Sequence, residues 1–446
     1  MKRLSERQAA GIPRQSSWSP IASGLMLVIF ALSLIPVLHA GQATAQSAEA
    51  SLETTPVLAY YYIWFTPDSW DRAKLDLPLL GTYSSDDPEI MRQHVQWAKA
   101  GGIDGFIVSW KDTEALTSRL HRLVEISREE DFKLVLMYEG LDFYRHPLPV
   151  ERVSADLAFF TDTFADDPVF DLFGQPVAIW SGTWKYDRSQ IAFVTDAHRS
   201  NLQILASQKQ PDAYERIADL VDGNAYYWSS VDPDTFPDYP GKLAEMGDAV
   251  HADDGLWIAP AAPGFDARHL GGEREVLRED GTTLETQLAT AAGSDPDAIG
   301  LISWNEFSEN SHIEPSCTYG DRYLFVVADA LGGVGTPVTT PCDEQALATA
   351  LAGADTTSTI GTPPSVASPA ISSSFDWDSS APQGMAEQGN RLSIILLMGL
   401  VGGSMIFSMI RIVRRAVTPP TKAIERQHDT ATETLHSPIH PEGHVP

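Results

Sequence analysis

Asp87 to Trp110 reads DPEIMRQHVQWAKAGGIDGFIVSW, and it contains the repeating unit of the fold. Its first part opens on Asp-Pro and carries apolar residues at spacings of three and four, the pattern of a helix with one buried stripe. Gly101 and Gly102 end that pattern, and IDGFIVSW (Ile103 to Trp110) follows as a short β-branched and aromatic run, which reads as a strand.

The same alternation recurs in both directions. The other strand-like runs are VLAYYYIW (Val57 to Trp64), KLVLMYE (Lys133 to Glu139), PVAIWSG (Pro176 to Gly182), LQILASQ (Leu202 to Gln208), GNAYYWSS (Gly223 to Ser230), LWIAPAAPG (Leu256 to Gly264) and IGLISWNE (Ile299 to Glu306). Helix-length segments such as TEALTSRLHRLVEISREE lie between them. Strand then helix, repeated, requires a parallel sheet with crossovers. Eight units suit a closed barrel, whereas an open doubly wound sheet needs about six and often carries a Gly-rich phosphate turn after its first strand. Here the first run leads into TPDSW. The expected fold class is α/β, a single (β/α)8 TIM barrel over residues 54–332.

The flanks read differently. Lys2, Arg3, Arg7 and Arg14 precede the apolar run Ala22 to Leu38 and the small-residue pattern Ala43-Thr44-Ala45, so residues 1–45 read as a signal peptide or an N-terminal anchor. Residues 333–391 shift to Gly, Ser, Thr, Ala and Pro, the composition of a stalk. Residues 392–410 form a second apolar run followed by Arg411, Arg414 and Arg415, as in a transmembrane helix with a cytoplasmic C-terminal end. Residues 411–446 have no apolar period and read as a disordered tail. The expected placement is an exported barrel outside the cytoplasm, joined to the membrane through its C-terminal anchor.

Composition narrows the partners. Sixty Asp and Glu against 31 Lys and Arg give a net charge of -29, which opposes a phosphate backbone and leaves no nucleic-acid partner expected. Two cysteines, Cys317 and Cys342, are too few for a disulfide scaffold or a thiolate zinc site, although in an exported protein they could close one loop.

Barrel chemistry sits at the C-terminal strand ends. Those ends carry Tyr62, Trp64, Trp110, Glu139, Trp180, Tyr227, Trp228, Asn305 and Glu306. Aromatic faces stack on sugar rings while carboxylates and amides bind hydroxyls, so the inventory suits an oligosaccharide or polysaccharide; any single aromatic is as well explained as core. In SWNEFSENSHIEP, Ser303 to Pro315, Glu306 and Glu309 lie three apart. On a helical turn they would face one bond, and glycoside hydrolysis needs such a pair; a solvated acidic turn is the plain alternative, against which stand the neighbouring Trp304, Phe307 and Ile313. Glu309 and His312 also make the Glu-x-x-His of di-iron bundles, but no second copy falls within the barrel, so neither metal nor cofactor is expected. His312 is expected to hydrogen-bond substrate or to support a residue that does. The chain has no Gly-x-Ser-x-Gly elbow.

Five of these stretches together, YYYIWF, GTYSSDDPEIMRQHVQWAKAGGIDGFIVSW, LMYEG, APGFD and SWNEFSENSHIEP, resemble glycoside hydrolase family 99, the endo-α-mannosidase and endo-α-mannanase group. The resemblance implies a metal-free barrel that cleaves within α-mannoside chains with retention. It implies that Glu306 acts as base on the sugar's own 2-hydroxyl to give a 1,2-anhydro sugar, and that Glu309 protonates the leaving oxygen and then activates water. Sugar contacts carry over to Trp110, Glu139, and Tyr61 or Tyr62. Mannosidase members usually carry Trp-His between the two glutamates and Gly-Thr-Gln after the second, where this chain has Phe307-Ser308 and Asn310-Ser311-His312. That form leans towards family 71 α-1,3-glucanases. A non-catalytic glycan receptor or a polysaccharide-assembly protein on the same barrel remains a third reading.

Overall fold

The computed structural model describes residue 52 and residues 54–356. The segments expected to be a signal or anchor (1–45), the stalk beyond residue 356, a transmembrane run (392–410) and a tail (411–446) lie outside the described residues. Among the described residues, no helix is long and apolar enough to cross a membrane.

Among the described residues, ten strands occur in chain order: β1 Val57–Tyr62, β2 Gly105–Trp110, β3 Lys133–Glu139, β4 Val177–Ser181, β5 Gln203–Leu205, β6 Gly223–Asn224, β7 Leu256–Ala261, β8 Phe265–Asp266, β9 Glu275–Val276 and β10 Ala298–Leu301. Eight form one parallel sheet in the order β5-β4-β3-β2-β1-β10-β7-β6. Its two edges nearly close on each other, because Ala206 and Asn224 form a parallel bridge. There the Ala206 N–H donates to Gly223 O at 2.9 Å and the Ala225 N–H to Ala206 O at 2.8 Å. The result is a nearly closed barrel of the TIM type. β8 and β9 make a separate antiparallel ribbon.

All eight expected strand runs contain a barrel strand, but the fifth and sixth contribute only Gln203–Leu205 and Gly223–Asn224. The last strand also stops early. β10 ends at Leu301, so Glu306 is carried by the following turn and is not at a strand end.

The central unit forms for the reasons its sequence suggests. Asp87 caps the helix Pro88–Ala100 by accepting from the Glu89 N–H, Pro88 occupies the first turn, and Met91, His94, Val95 and Ala98 form the buried stripe. β1 and β2 are buried along their whole length, as parallel strands covered by helices must be.

Successive side chains on a strand point to opposite faces, and this alternation sorts the barrel. Leu58, Tyr60 and Tyr62 of β1, Ile107 of β2, Val135 and Met137 of β3 and Ile258 of β7 belong to one interior core. Gly300 of β10 makes room for it: a Cβ there would lie 3.0 Å from Tyr60 Cε2 and 3.3 Å from Ile258 Cγ2. An alanine at this position would overpack the interior at a cost of roughly 1–3 kcal/mol.

Folded structure continues past residue 332. Cys317 and Cys342 form a disulfide. The helix Glu344–Thr356 follows, its start held by Asp343 Oδ1, which accepts from the N–H groups of Gln345 and Ala346. Ala346, Leu347 and Ala350 pack against the core. The small-residue composition that reads as stalk therefore includes a capped and docked helix at its start.

Candidate functional site

Beyond Leu301 the chain crosses the barrel mouth and doubles back. The Trp304 N–H donates to Tyr60 O at 2.8 Å, tying the segment to β1. The return limb is held by Ser303 N–H to Ser311 O at 2.7 Å, Ile313 N–H to Ser303 O at 2.9 Å and Glu314 N–H to Trp304 O at 2.8 Å. Between the limbs, Asn310 adopts φ 48°, a left-handed conformation that asparagine tolerates. This is a tight turn at residues 307–310 with an irregular return limb; no helix forms there. Glu306 and Glu309 nevertheless both face inward, 3% and 0% exposed.

Each glutamate is held in place by hydrogen bonds within or to the turn. The Glu306 N–H donates to Ser303 Oγ at 2.8 Å, and Glu306 Oε1 accepts from the Ser308 N–H at 3.0 Å. Glu309 O accepts from the Asp266 N–H at 2.7 Å, which joins the turn to the β8–β9 ribbon.

Beneath the turn, a buried chain of polar groups links the last strand's loop to the first strand. Asn305 Oδ1 accepts from the Tyr62 N–H and its Nδ2 donates to Tyr62 O, both at 2.9 Å. Asn305 Nδ2 also reaches Tyr83 Oη at 3.2 Å, and Tyr83 donates to Glu314 Oε2 at 2.9 Å. Glu314 Oε1 lies 3.1 Å from His94 Nε2, and His94 Nδ1 lies 3.0 Å from the Tyr61 hydroxyl. Buried polar groups are costly unless partnered, so this chain fixes the turn in one position.

A second brace holds the outer limb. His312 Nε2 sits 3.1 Å from Asp76 Oδ2, and the His312 ring stacks on Phe307 at 3.9 Å. Arg278 Nη2 donates to Asn310 O at 2.9 Å and His312 O at 2.8 Å, while its guanidinium lies over Tyr319 and Tyr323 at 4.3 and 4.4 Å. Burial pushes the His312 imidazole down to about 4, with the Arg278 charge adding to the effect and Asp76 opposing it. His312 is therefore neutral near pH 7.

Electrostatics single out Glu306. Burial raises its carboxyl to about 7, against the pull of the Lys74 ammonium and the Ser308 hydrogen bonds. Lys74 is itself 2% exposed. Burial lowers its ammonium to about 8, although the Glu306 charge works the other way. A carboxyl that titrates near neutral pH is suited to proton transfer there. Tyr62 and Tyr227 stand beside both glutamates; burial holds each phenol well above its usual range, and the charges of Glu306 and Glu309 push in the same direction.

The structure brings together only part of the expected set. Tyr62, Asn305, Glu306 and Glu309 meet at the mouth, and partly exposed Trp64 lies 4.1 Å from Tyr62, ring to ring. Glu139 shares their face of the wall: Ser109 Oγ donates to its Oε1 at 2.7 Å. Burial raises the Glu139 carboxyl, with Ser109, Lys111 and Arg145 opposing. Four other residues are placed elsewhere. Tyr61 faces the helix layer and stacks on Phe106 at 4.4 Å. Trp110 also faces outward, packing between Phe159 and Phe160, with its Nε1 donating to Thr117 Oγ1. Trp228 joins Phe236 and Tyr239 at 5.2 and 5.9 Å, outside the barrel. His312 braces the turn from behind. For Tyr61 on β1 and Trp110 on β2 the reason is parity, since a strand residue one position from an inward side chain points out; Trp228 lies in the loop beyond β6.

Sequence reasoning does not single out Lys74, Asp76, Tyr83, His94, Arg278 or Glu314. A signal for most of them exists in barrel closure. The first and last strands must pair, so the segment after β1 meets the segment after β10, and polar residues in the two are candidate partners.

The sequence profile of glycosyl hydrolase family 99 matches residues 66–324, more than half of the chain. No curated protein matches it. Among solved structures, a GH99 endo-α-mannosidase from Bacteroides thetaiotaomicron aligns with a TM-score of 0.53 at 18% identity, over 67% of this chain and 96% of that one. The same enzyme in complex with BIS-TRIS-propane aligns at 0.52 with 19% identity over the same shares, 67% and 96%. A glycoside hydrolase-like protein aligns at 0.52 with 14% identity, over 62% and 94%. At these identities the likeness is one of fold.

Proposed function

The chain belongs to glycosyl hydrolase family 99, and from that premise we propose that it is a retaining endo-glycosidase acting on α-mannosidic linkages of an oligosaccharide or polysaccharide. The observation that carries the reading is the inward pair Glu306 and Glu309 in one braced turn, with Glu306 titrating near 7.

Glu306, ionised and favoured in that form by Lys74, takes the proton from the sugar 2-hydroxyl. O2 attacks C1 as the glycosidic C1–O bond breaks, and the Glu309 acid gives its proton to the leaving oxygen. The product of this step is a 1,2-anhydro sugar. Glu309, now a carboxylate, takes a proton from water, which attacks C1; the C1–O2 bond opens and O2 recovers its proton from Glu306. Two inversions at C1 give retention. Tyr62 and Tyr227 stay protonated and supply hydroxyls beside the reacting groups. An exported, membrane-anchored placement belongs to the same proposal and rests on the terminal sequence segments.

One observation favours a second reading. Glu309 is 0% exposed and Glu306 3%, so the pair has almost no direct contact with solvent. A sugar reaches the pair only when part of the surrounding wall moves. A barrel that binds glycan without turnover would have no such requirement.

Two α-mannosides that differ only at C2 test the mechanism. The proposal predicts cleavage of the 2-hydroxy substrate with the α anomer released first, read by proton NMR, and no cleavage of its 2-deoxy counterpart. Comparable cleavage of the two would remove Glu306 from the assigned role. Glycan binding without turnover in the wild type would establish the second reading.

A further inference from the structure

A cavity of about 430 Å3 opens beside the ends of β4 and β5, lined among others by Thr183, Trp184, Tyr186, Arg188 and Gln208. Its volume falls in the range of roughly 300–1,000 Å3 typical of small-molecule sites. It lies close to the candidate site along the wall. Ser181 of β4 is the register partner of Glu139, and Thr183 follows two residues later.

The floor is rigid. The Ser207 N–H donates to Thr183 Oγ1 at 2.8 Å, and the Gly182 N–H donates to Ser207 Oγ at 3.1 Å. Above it the side chains are of two kinds. Trp184 presents a partly exposed indole; its neighbours Lys209, 5.5 Å from the ring centre, and Tyr226, edge-on at 5.9 Å, line a smaller adjoining cavity. Gln208 is 6% exposed, and its backbone exchanges hydrogen bonds with the Asn224 carboxamide. Its own carboxamide lines the cavity and makes no hydrogen bond among the described residues. A carboxamide offers a ligand hydroxyl both a donor and an acceptor.

The wall charges are already compensated. Arg188 pairs with Asp219 and donates to Arg216 O, and Arg216 pairs with Asp212 at 3.1 Å. An anion would have to compete with those carboxylates, so the cavity suits a neutral ligand that combines an apolar face with hydroxyls.

We propose that this cavity is an outer sugar-binding subsite, taking a neutral pyranose unit of the glycan with Trp184 as the stacking platform and Gln208 as the hydroxyl partner. It rests on the reading of the barrel as glycan-active and adds a direction to it: the glycan runs from the carboxylate pair past Glu139 towards β4 and β5. Chain length should then matter, because only a glycan long enough to span both places gains the extra contacts.

Calorimetric titration and turnover assays on the full chain, with α-linked manno- and gluco-oligosaccharides from disaccharide to hexasaccharide, test this. The wild type is expected to bind members that reach the cavity about tenfold or more tightly than shorter ones, and Trp184→Ala and Gln208→Ala to lose that gain. Thermal melting of each variant checks the fold, and Trp184→Phe serves if the alanine variant does not fold. A length gain kept in both Trp184 and Gln208 variants, or no binding of any oligosaccharide, overturns the subsite. The two proposals fail separately. Turnover without length dependence removes the subsite alone, while length-dependent binding that needs Trp184 but brings no turnover removes the catalytic reading alone.

Discussion

Tyr227 and Trp228 are consecutive, yet they stand on opposite sides of the barrel wall. The Tyr227 ring lies 5.0 Å from Tyr60 in the interior, and the Trp228 ring lies 5.2 Å from Phe236 outside it. Substitution should separate the two roles. Tyr227→Phe is expected to lower kcat/KM roughly tenfold with little change in Tm, because it removes a hydroxyl next to the glutamates and no packing volume. Trp228→Ala should lose about 3–5 kcal/mol of stability by opening a cavity. Denaturant melts alongside kinetics check this; a stability loss in Tyr227→Phe with normal activity would reverse the assignment.

Lys74 sets the charge of Glu306 from inside the fold. Its ammonium pulls the Glu306 carboxyl down from where burial alone would place it. Lys74→Met should therefore raise the Glu306 value, and the acid limb of the kcat/KM profile, which reports ionisation of the base in the free enzyme, should move to higher pH. An unmoved limb in a folded variant would separate Lys74 from the chemistry.

Glu306 also makes stability depend on pH. The carboxyl is held at about 7 in the fold, against about 4.3 in an unfolded chain. The protonated form thus favours folding, so this group's stabilisation is fully present below about pH 4.3 and is lost as pH rises through about 7. Glu306→Gln keeps the shape of the protonated acid and does not titrate. It should be more stable than wild type above pH 7, by up to roughly 4 kcal/mol, with the gap closing towards pH 4. A wild type that is the more stable of the two at pH 8 would contradict the buried, raised carboxyl.

The disulfide should contribute measurably. Cys317 and Cys342 are 25 residues apart, and closing a loop of that length stabilises by about 3 kcal/mol in the chain-entropy account. Reduction should lower Tm by several degrees. Paired Cys317→Ser and Cys342→Ser substitutions should do the same without reductant, whereas equal melting of oxidised and reduced protein would show that the linkage is dispensable.

Much of this architecture is legible in the sequence because parallel strands buried on both faces appear as continuous apolar runs, and all eight runs contain a barrel strand. The two short ones, β5 and β6, are those whose runs pass quickly into polar or aromatic loop residues. The Glu306 and Glu309 pair is legible because it is local. What is not legible divides by cause. Trp110 and Trp228 read as rim residues by type, but the alternation of β2 turns Trp110 outwards, and Trp228 lies in the loop beyond the two-residue strand β6, where no strand alternation applies. The partners Tyr83 with Glu314 and Asp76 with His312 lie 231 and 236 residues apart, so only closure of β1 against β10 brings them together. The docked helix Glu344–Thr356 is hidden by a small-residue composition shared with the linker around it.

Turnover of α-mannan by the wild type, Glu306→Gln and Glu309→Gln tests the central claim most directly. The account predicts oligosaccharide release by the wild type and at least about a hundredfold loss in each variant, with Glu306→Gln melting no lower than wild type at pH 8. Full turnover retained in both variants would contradict it.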